Sequence, residues 1–328
     1  MIKANFVKRT QISNDQWNSF VKDSPQSSIY YNTWYLDSVC SSWNAIIVED
    51  NNSWLAVMPL NHGNKFSIEY SLLPNYIQYL GVIFASEKGE IHRVYQNVKN
   101  VLNAIIKEIP GDIKLIDYNF HPNIDYLLPF YWAGYDITPR YTYWLELNAG
   151  WESLNRKFSR NVKSDIRKAV RSGLHCERSL DIAPLIDCLC KEDYLDSLDL
   201  DRLKALWVNV VLNNAGFILY VKNSEGRIER GGAFLIDNSK LIYFLASSPA
   251  QQKLGANSFM IIEAIKQCYK LGNIQYFDFE GSMIESIEHY YRGFAPQKIV
   301  YYKVSRNTLP PLINYVYSKK ESRKRKYA

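Results

Sequence analysis

Two acids, Asp278 and Glu280, stand in the segment Tyr276-Phe277-Asp278-Phe279-Glu280-Gly281-Ser282, and a cation, Arg292, follows within Tyr291-Arg292-Gly293-Phe294. The alternation of aromatic and acid predicts a short strand stopped by glycine, with Asp278 and Glu280 on one face and Phe277 and Phe279 on the other. A carboxylate at such a strand end can serve as a general base for an attacking amine. Arg292 carries the planar fork that suits a phosphate or a developing oxyanion, with Tyr291 beside it. The plainer reading of the same residues is a buried aromatic strand and a surface arginine.

A second group is cationic. Arg156, Arg160, Lys163, Arg167 and Arg171 recur at steps of 4, 3, 4 and 4, and Leu154, Phe158, Val162, Ile166 and Val170 form a neighbouring apolar stripe. The spacing predicts one helix over Trp151–Ser172 that docks by its apolar face and offers cations on the next. Cations at this spacing repel by a few tenths of a kcal/mol per pair, roughly, so an anionic partner relieves a standing cost. The alternative is a solvated helix answered by acids elsewhere.

The elements that must position these groups follow from periodicity. The first half predicts amphipathic stretches at Asp15–Val21 and Thr33–Val39, strands at Asn44–Val48, Trp54–Leu60 and Tyr76–Phe84, and a long helix at Ile91–Ile109 closed by Pro110-Gly111. A strand at Ile113–Tyr118, a helix near Asn123–Phe130 and a strand at Tyr141–Leu147 complete it. The second half predicts helices at Trp151–Ser172 and within Ile182–Asn213, strands at Phe217–Lys222, Gly231–Ile236 and Leu241–Ala246, then a helix at Ala256–Leu271 ended by Gly272. The strand Tyr276–Phe279, a helix near Met283–Tyr291 and a strand at Lys298–Val304 follow. Both halves run helices, three-strand meander, long helix, strand, helix, strand, the pattern of a duplicated α+β unit. The expected division is 1–150, 151–310 and a basic tail at 311–328.

At 328 residues, with 47% hydrophobic and 22% charged, the chain has the composition of a soluble globular protein, without an apolar run of about 20 residues to span a membrane. The first ten residues lack the apolar segment of a signal peptide. Five cysteines, at 40, 176, 188, 190 and 268, are odd in number and read as reduced thiols, which points to the cytoplasm. Neither they nor His62, His92, His121, His175 and His289 fall at metal-ligand spacing, so no metal is expected. The net charge of +6 is concentrated: residues 151–178 and 319–328 each carry +5, leaving the remainder at −4. The tail is too polar to build a core, and suits either an anionic membrane surface, as a peripheral contact at the inner face, or solvation alone.

The segment Phe158-Ser159-Arg160-Asn161-Val162-Lys163-Ser164-Asp165-Ile166-Arg167-Lys168-Ala169-Val170-Arg171-Ser172-Gly173-Leu174 resembles the R-N-x-[KR] basic segment of the FemABX family. The run from Gly231-Gly232-Ala233-Phe234 through Tyr243, Ser247-Ser248, Asn257 and Tyr276–Gly281 resembles that family's second domain. Tyr291-Arg292-Gly293-Phe294 resembles its F-K-x-x-F-G element, and Gln26–Trp34 its N-terminal entry. The resemblance implies two tandem GNAT-like domains, each a mixed sheet flanked by helices. It further implies a cytoplasmic acyltransferase that moves an aminoacyl group from charged tRNA onto an amine of a phosphate-bearing peptidoglycan precursor, with no bound cofactor.

By that resemblance Arg292 takes the place of the lysine that stabilises the tetrahedral intermediate, with Tyr291 beside it and Asp278 or Glu280 as base. Arg160, Lys163 and Arg167 would grip phosphate, and Trp34 and Ser247 would touch substrate. The helical arm that several family members use for tRNA has no counterpart here. A second enzymatic reading is an acetyl-CoA-dependent N-acetyltransferase acting on a small molecule or surface sugar amine. GNAT enzymes seat the coenzyme pyrophosphate on a [QR]-x-x-G-x-[GA] turn before a helix, and Gln252-Lys253-Leu254-Gly255-Ala256-Asn257 fits it through Gly255 and departs at Asn257. A third reading is a non-enzymatic module that binds anions or nucleic acid by the basic helix and tail.

Overall fold

A computed structural model describes the chain except residues 1, 87–88, 190–198, 248–254, 312, 316 and 318–328. Gln252, Cys190 and, in the basic tail, residues 312, 316 and 318–328 therefore lie outside the described residues.

The elements run in chain order as β1 (Lys3–Lys8), α1 (Asn14–Asp23), α2 (Thr33–Val39), β2 (Trp43–Asp50), β3 (Ser53–Asn61), β4 (Gly63–Lys65), β5 (Ile68–Leu72), β6 (Ile83–Phe84) and α3 (Ile91–Glu108). Next come β7 (Ile113–Asn119), α4 (Leu128–Trp132), β8 (Asp136–Glu146), α5 (Trp151–Lys157), α6 (Arg160–Arg171), β9 (His175–Ser179), α7 (Ala183–Leu189) and α8 (Leu200–Leu212). The last are β10 (Gly216–Lys222), β11 (Ile228–Asp237), β12 (Lys240–Ala246), α9 (Ala256–Leu271), β13 (Tyr276–Asp278), α10 (Glu285–Arg292) and β14 (Gln297–Asn307). The chain folds as two compact units, Met1–Arg140 with the segment from Val300 onward, and Tyr141–Ile299.

The first unit holds the antiparallel sheet β1-β2-β3-β6 and the strands β4-β5-β7-β14, of which β5 and β7 are parallel. Its core is aromatic: Trp17, Tyr30, Tyr31, Tyr35, Tyr79, Tyr118, Phe120 and Phe130 are all fully buried. The segment 76–82, expected as strand, is instead an irregular apolar loop entered with Tyr76 at φ 69°. Side chains take the place of a ladder there. The Tyr31 hydroxyl accepts from the Gly81 amide at 2.9 Å, the Tyr35 hydroxyl donates to the Tyr76 carbonyl at 2.5 Å, and Asn119 donates to the Gln78 carbonyl at 3.0 Å. With its backbone groups met this way, the loop can be buried without pairing.

The second unit carries the sheet order β8-β13-β12-β11-β10-β9, antiparallel throughout except that β12 and β13 run parallel. The meander β10-β11-β12 was legible from its apolar runs, whereas the edge strand β9, with its polar pattern His-Cys-Glu-Arg-Ser, was not. α9 packs its apolar side, Met260, Ile261, Ala264, Ile265 and Cys268, into the core beneath the sheet. The helix expected over Trp151–Ser172 is two helices, broken at Phe158. Phe158 is extended and buried against Phe294 at 5.7 Å, and Ser159 caps α6 by accepting from the Val162 amide while its own amide donates to the Gly293 carbonyl at 2.8 Å. The basic stripe is therefore interrupted after Arg156, and Val170, expected to dock, is exposed. No disulfide joins Cys40, Cys176, Cys188 and Cys268 to one another.

Candidate active site

β12 and β13 pair only through Lys240–Ile242 and Tyr276–Asp278. Beyond that point the two strands part, because β12 continues alongside β11 to Ala246 while Phe279 donates its amide to the Tyr143 carbonyl of β8 at 3.0 Å. The opening between them forms a cavity of about 560 Å³. Its walls are Tyr243–Ala246 of β12, Phe279–Gly281 after β13, the first turn of α9, Asp165 of α6, and Tyr290 and Tyr291 of α10.

The turn after β13 is built tightly. Asp278 Oδ1 accepts from the Thr142 hydroxyl at 2.8 Å and from the Glu280 amide at 2.9 Å, which folds Glu280 back at φ 58° and Gly281 at φ 69°. A Cβ on Gly281 would sit 2.3 Å from the Tyr141 carbonyl oxygen, so glycine is required there. A glutamate held in the left-handed region, sparsely populated for such a residue, is where functional sites often store strain. The alternation expected of Asp278 and Glu280 thus ends at Asp278. Asp278 is fully enclosed together with Phe277 and Phe279, and Glu280 alone of the two acids lines the cavity. Burial pushes the Asp278 carboxyl above its ordinary range, opposed by Lys240 and by its hydrogen bonds to Thr142 and the Glu280 amide.

α9 begins at Gly255, in left-handed conformation at φ 68°. A Cβ there would lie 2.2 Å from the Asp165 carbonyl oxygen, so the helix start can approach α6 only with glycine. The next residues are tied to their neighbours: Asn257 accepts from the Tyr243 hydroxyl at 2.9 Å, and Ser258 donates to Asp165 at 3.2 Å and lies 3.0 Å from the Tyr290 hydroxyl. The positive end of the α9 dipole therefore faces the cavity. Burial raises the pKa of both Tyr290 and Tyr291, so each keeps its proton and acts as a donor at neutral pH.

Of the residues singled out in the sequence, Glu280, Tyr291 and Gly255 meet at this cavity. Arg292 does not line it. It is exposed on α10, paired with Glu288 at 3.1 Å and close to His289, because the helical spacing that turns Tyr291 inward turns its neighbour out. Arg160, Lys163 and Arg167 also stand outside the lining. Lys163 donates to the Arg156 carbonyl and Arg167 to the Lys163 carbonyl, and none of the three forms an ion pair among the described residues. Ser247 is buried, its hydroxyl accepting from the Gly231 amide at 3.1 Å, where it fastens β12 to β11. Trp34 is half-buried in α2 of the first unit, against Tyr35. Sequence reasoning gave no site role to Arg230, Ser258 and Tyr290, and named Tyr243 only within the resemblance. Of these, Arg230 falls just ahead of the expected strand Gly231–Ile236, beside Arg227 and Glu229, with nothing in the sequence to mark it.

No protein-family model matches the chain, and no curated protein matches it in sequence. Solved structures do match. FemX is similar at 13% identity over 93% of this chain and 98% of that one, with a TM-score of 0.64. A tandem GNAT protein from the clavulanic acid biosynthesis pathway is similar at 6% identity over 94% and 99%, with a TM-score of 0.59. The chain has a tandem GNAT fold. L-PGS from Bacillus licheniformis shares it too, at 9% identity over 94% and 96%, with a TM-score of 0.55. At these identities the likeness is one of fold, and the chemistry has to be argued from the site. Among the described residues no group of side chains is arranged to hold a metal ion, and no helix is long and apolar enough to cross a membrane.

Proposed function

We propose that the protein is an acyltransferase that moves an aminoacyl or acyl group onto an amine of a cell-wall or cell-surface precursor, with the cavity of the second unit as its reaction site. The observation that carries this reading is the parting of β12 and β13 over a cavity that presents a carboxylate, Glu280, and a protonated phenol, Tyr291, together with a helix start. Aminoacyl esters and thioesters are already activated, so positioning and charge stabilisation supply most of the acceleration. Glu280 accepts the proton of the amine as nitrogen bonds to the acyl carbon. The Tyr291 hydroxyl donates to the departing oxygen or sulfur as the bond to the carrier breaks. Asp278 positions Glu280 through the amide it holds.

A second reading, an acetyl-CoA-dependent N-acetyltransferase, is favoured by Gly255 at the start of α9, where a helix N-terminus opens onto the cavity and suits a pyrophosphate. The two differ in donor. The fold shared with FemX supports the aminoacyl donor, and a cytoplasmic location with phosphate-bearing precursors goes with that reading. The phosphate-gripping role of Arg160, Lys163 and Arg167, and a peripheral membrane contact through the tail, belong to the same proposal.

The test is transfer of label to a uridine-diphosphate-linked peptide or amino sugar from radiolabelled aminoacyl-tRNA and, separately, from radiolabelled acetyl-CoA. Incorporation from tRNA alone supports the first reading, and incorporation from acetyl-CoA alone the second. No incorporation from either donor, with calorimetry showing that neither binds, overturns both.

A further inference from the structure

Arg230 is the only cation among the described residues that line the cavity, and it has no partner there. Its side chain is 7% exposed, and both Nε and Nη1 are enclosed without a hydrogen-bond acceptor. Among the described residues no carboxylate stands within ion-pairing distance of it, although Asp165, Glu229 and Glu280 line the same cavity. Asp165 is engaged by Ser258 and Lys168, and Glu229 by Asn223 at 2.7 Å.

A buried guanidinium left unmatched is a cost that a folded chain rarely carries without a reason, since the three N–H donors on its Nε and Nη1 have lost water and gained no acceptor. The strand pattern shows where it points. Arg230 precedes Gly232 by two residues on β11 and so shares its face, and a Cβ on Gly232 would meet Met260 of α9 and the Tyr243 ring. Arg230 thus lies on the α9 side of the sheet, two residues beyond the last β11–β12 pair, Gly232 with Ala246. The N-terminal turn of α9 borders the same space, so two independent sources of positive potential converge on it.

We propose that Arg230 anchors an oxyanion, a carboxylate or a phosphate, carried by the molecule that enters this cavity. The proposal rests on the reading of the cavity as a substrate site, and adds that the substrate bound there is anionic. A planar fork engages either oxyanion through two parallel hydrogen bonds, which fixes the ligand's orientation relative to Glu280 and Tyr291 as a point charge would not.

The experiment titrates the full chain with inorganic pyrophosphate and, separately, with glutarate, by calorimetry and thermal melting, for the native sequence, Arg230→Met and Arg230→Lys. The native protein is expected to bind at least one anion saturably. Arg230→Met should weaken that binding about tenfold or more while melting no lower than the native chain without ligand, because a buried unpaired charge has been removed. Arg230→Lys should bind in between. A response to pyrophosphate alone assigns a phosphate-bearing ligand, and to glutarate alone a carboxylate-bearing one.

Absence of saturable binding to the native chain overturns the proposal, as does equal binding by Arg230→Met. Should Arg230→Met fail to fold, undiminished binding by Arg230→Lys overturns it instead. Acyl transfer by the same samples separates the two readings. Transfer that persists without Arg230-dependent anion binding sinks the anchor alone, and anion binding without transfer from any donor sinks the acyltransferase reading alone.

Discussion

The Tyr290 hydroxyl lies 3.0 Å from the Ser258 Oγ. Ser258 has one proton and gives it to Asp165, so Tyr290 is the donor in that pair, and three helices, α10, α9 and α6, are joined in one hydrogen-bonded line along the cavity wall.

Ser258→Ala breaks that line in the middle. It leaves the Tyr290 hydroxyl and one Asp165 oxygen without their partner, which should lower stability by about 1–3 kcal/mol. Adding Tyr290→Phe should recover part of the loss, since the stranded donor goes with it. Urea denaturation of the two single variants and the double variant checks this, and strict additivity would show that the two hydroxyls are not coupled.

Gly255→Ala and Gly272→Ala form a matched pair. Both glycines cap α9 at positive φ, 68° and 78°, yet an added Cβ meets the Asp165 backbone at 2.2 Å in the first and nothing within 4 Å in the second. Left-handed strain of about 1–2 kcal/mol is common to both. Gly255→Ala should cost at least about 1 kcal/mol more, because α9 must move off α6. Equal midpoints in denaturant would show that the approach at Gly255 is not tight.

Much of this architecture was readable in the chain. The meander follows from its continuous apolar runs, and the bounds of α9 and the strand before Gly281 from punctuation by Gly255, Gly272 and Gly281, all at positive φ. The sequence misled where tertiary contacts replaced local ones. Tyr31, Tyr35 and Asn119 satisfy the backbone of 76–82 from a distance, and Phe158 breaks a helix to reach Phe294. At the site, alternation set Asp278 and Glu280 on one face, but the Asp278 carboxylate captures the next amide but one and ends the strand. Arg230 carried no local signal, since what marks it is the lack of a partner, a property only of the folded chain.

Asp278 should give stability an unusual pH dependence. Its carboxyl is raised by burial, so between the ordinary aspartate range and that raised value the native state holds a proton that the unfolded chain has lost. Stability from this group is therefore full at low pH and falls as pH rises through the raised pKa, with a slope of up to about 1.4 kcal/mol per pH unit. Asp278→Asn keeps the Oδ1 acceptor for Thr142 and the Glu280 amide without titrating. Denaturation from pH 4 to 8 should show the native chain losing ground to the variant, and parallel curves would mean that Lys240 holds the carboxylate ionised.

Arg292→Ala should change little. The guanidinium is exposed, sits outside the cavity lining and makes a surface pair with Glu288, an interaction worth about 1 kcal/mol or less. Turnover within a few-fold of native, and a melting temperature nearly unchanged, are the expected results. A loss of 100-fold or more, the scale on the order of an oxyanion donor, would restore the charge-stabilising role that the motif at Tyr291–Phe294 suggested.

Glu280 is the decisive position for the chemistry. It is the acid that the Asp278 turn brings to the cavity at φ 58°, a conformation that costs on the order of 1–3 kcal/mol. Glu280→Gln keeps the size and hydrogen-bonding reach but cannot take a proton. With whichever donor supports transfer, it should lower kcat by about 10² to 10⁴ while leaving the Kd for that donor within a few-fold. Glu280→Gly, which relieves the backbone, should stabilise the fold and be equally inactive. A glutamine variant that retains near-native turnover would show that the amine loses its proton to solvent, and that the strained turn serves some other end.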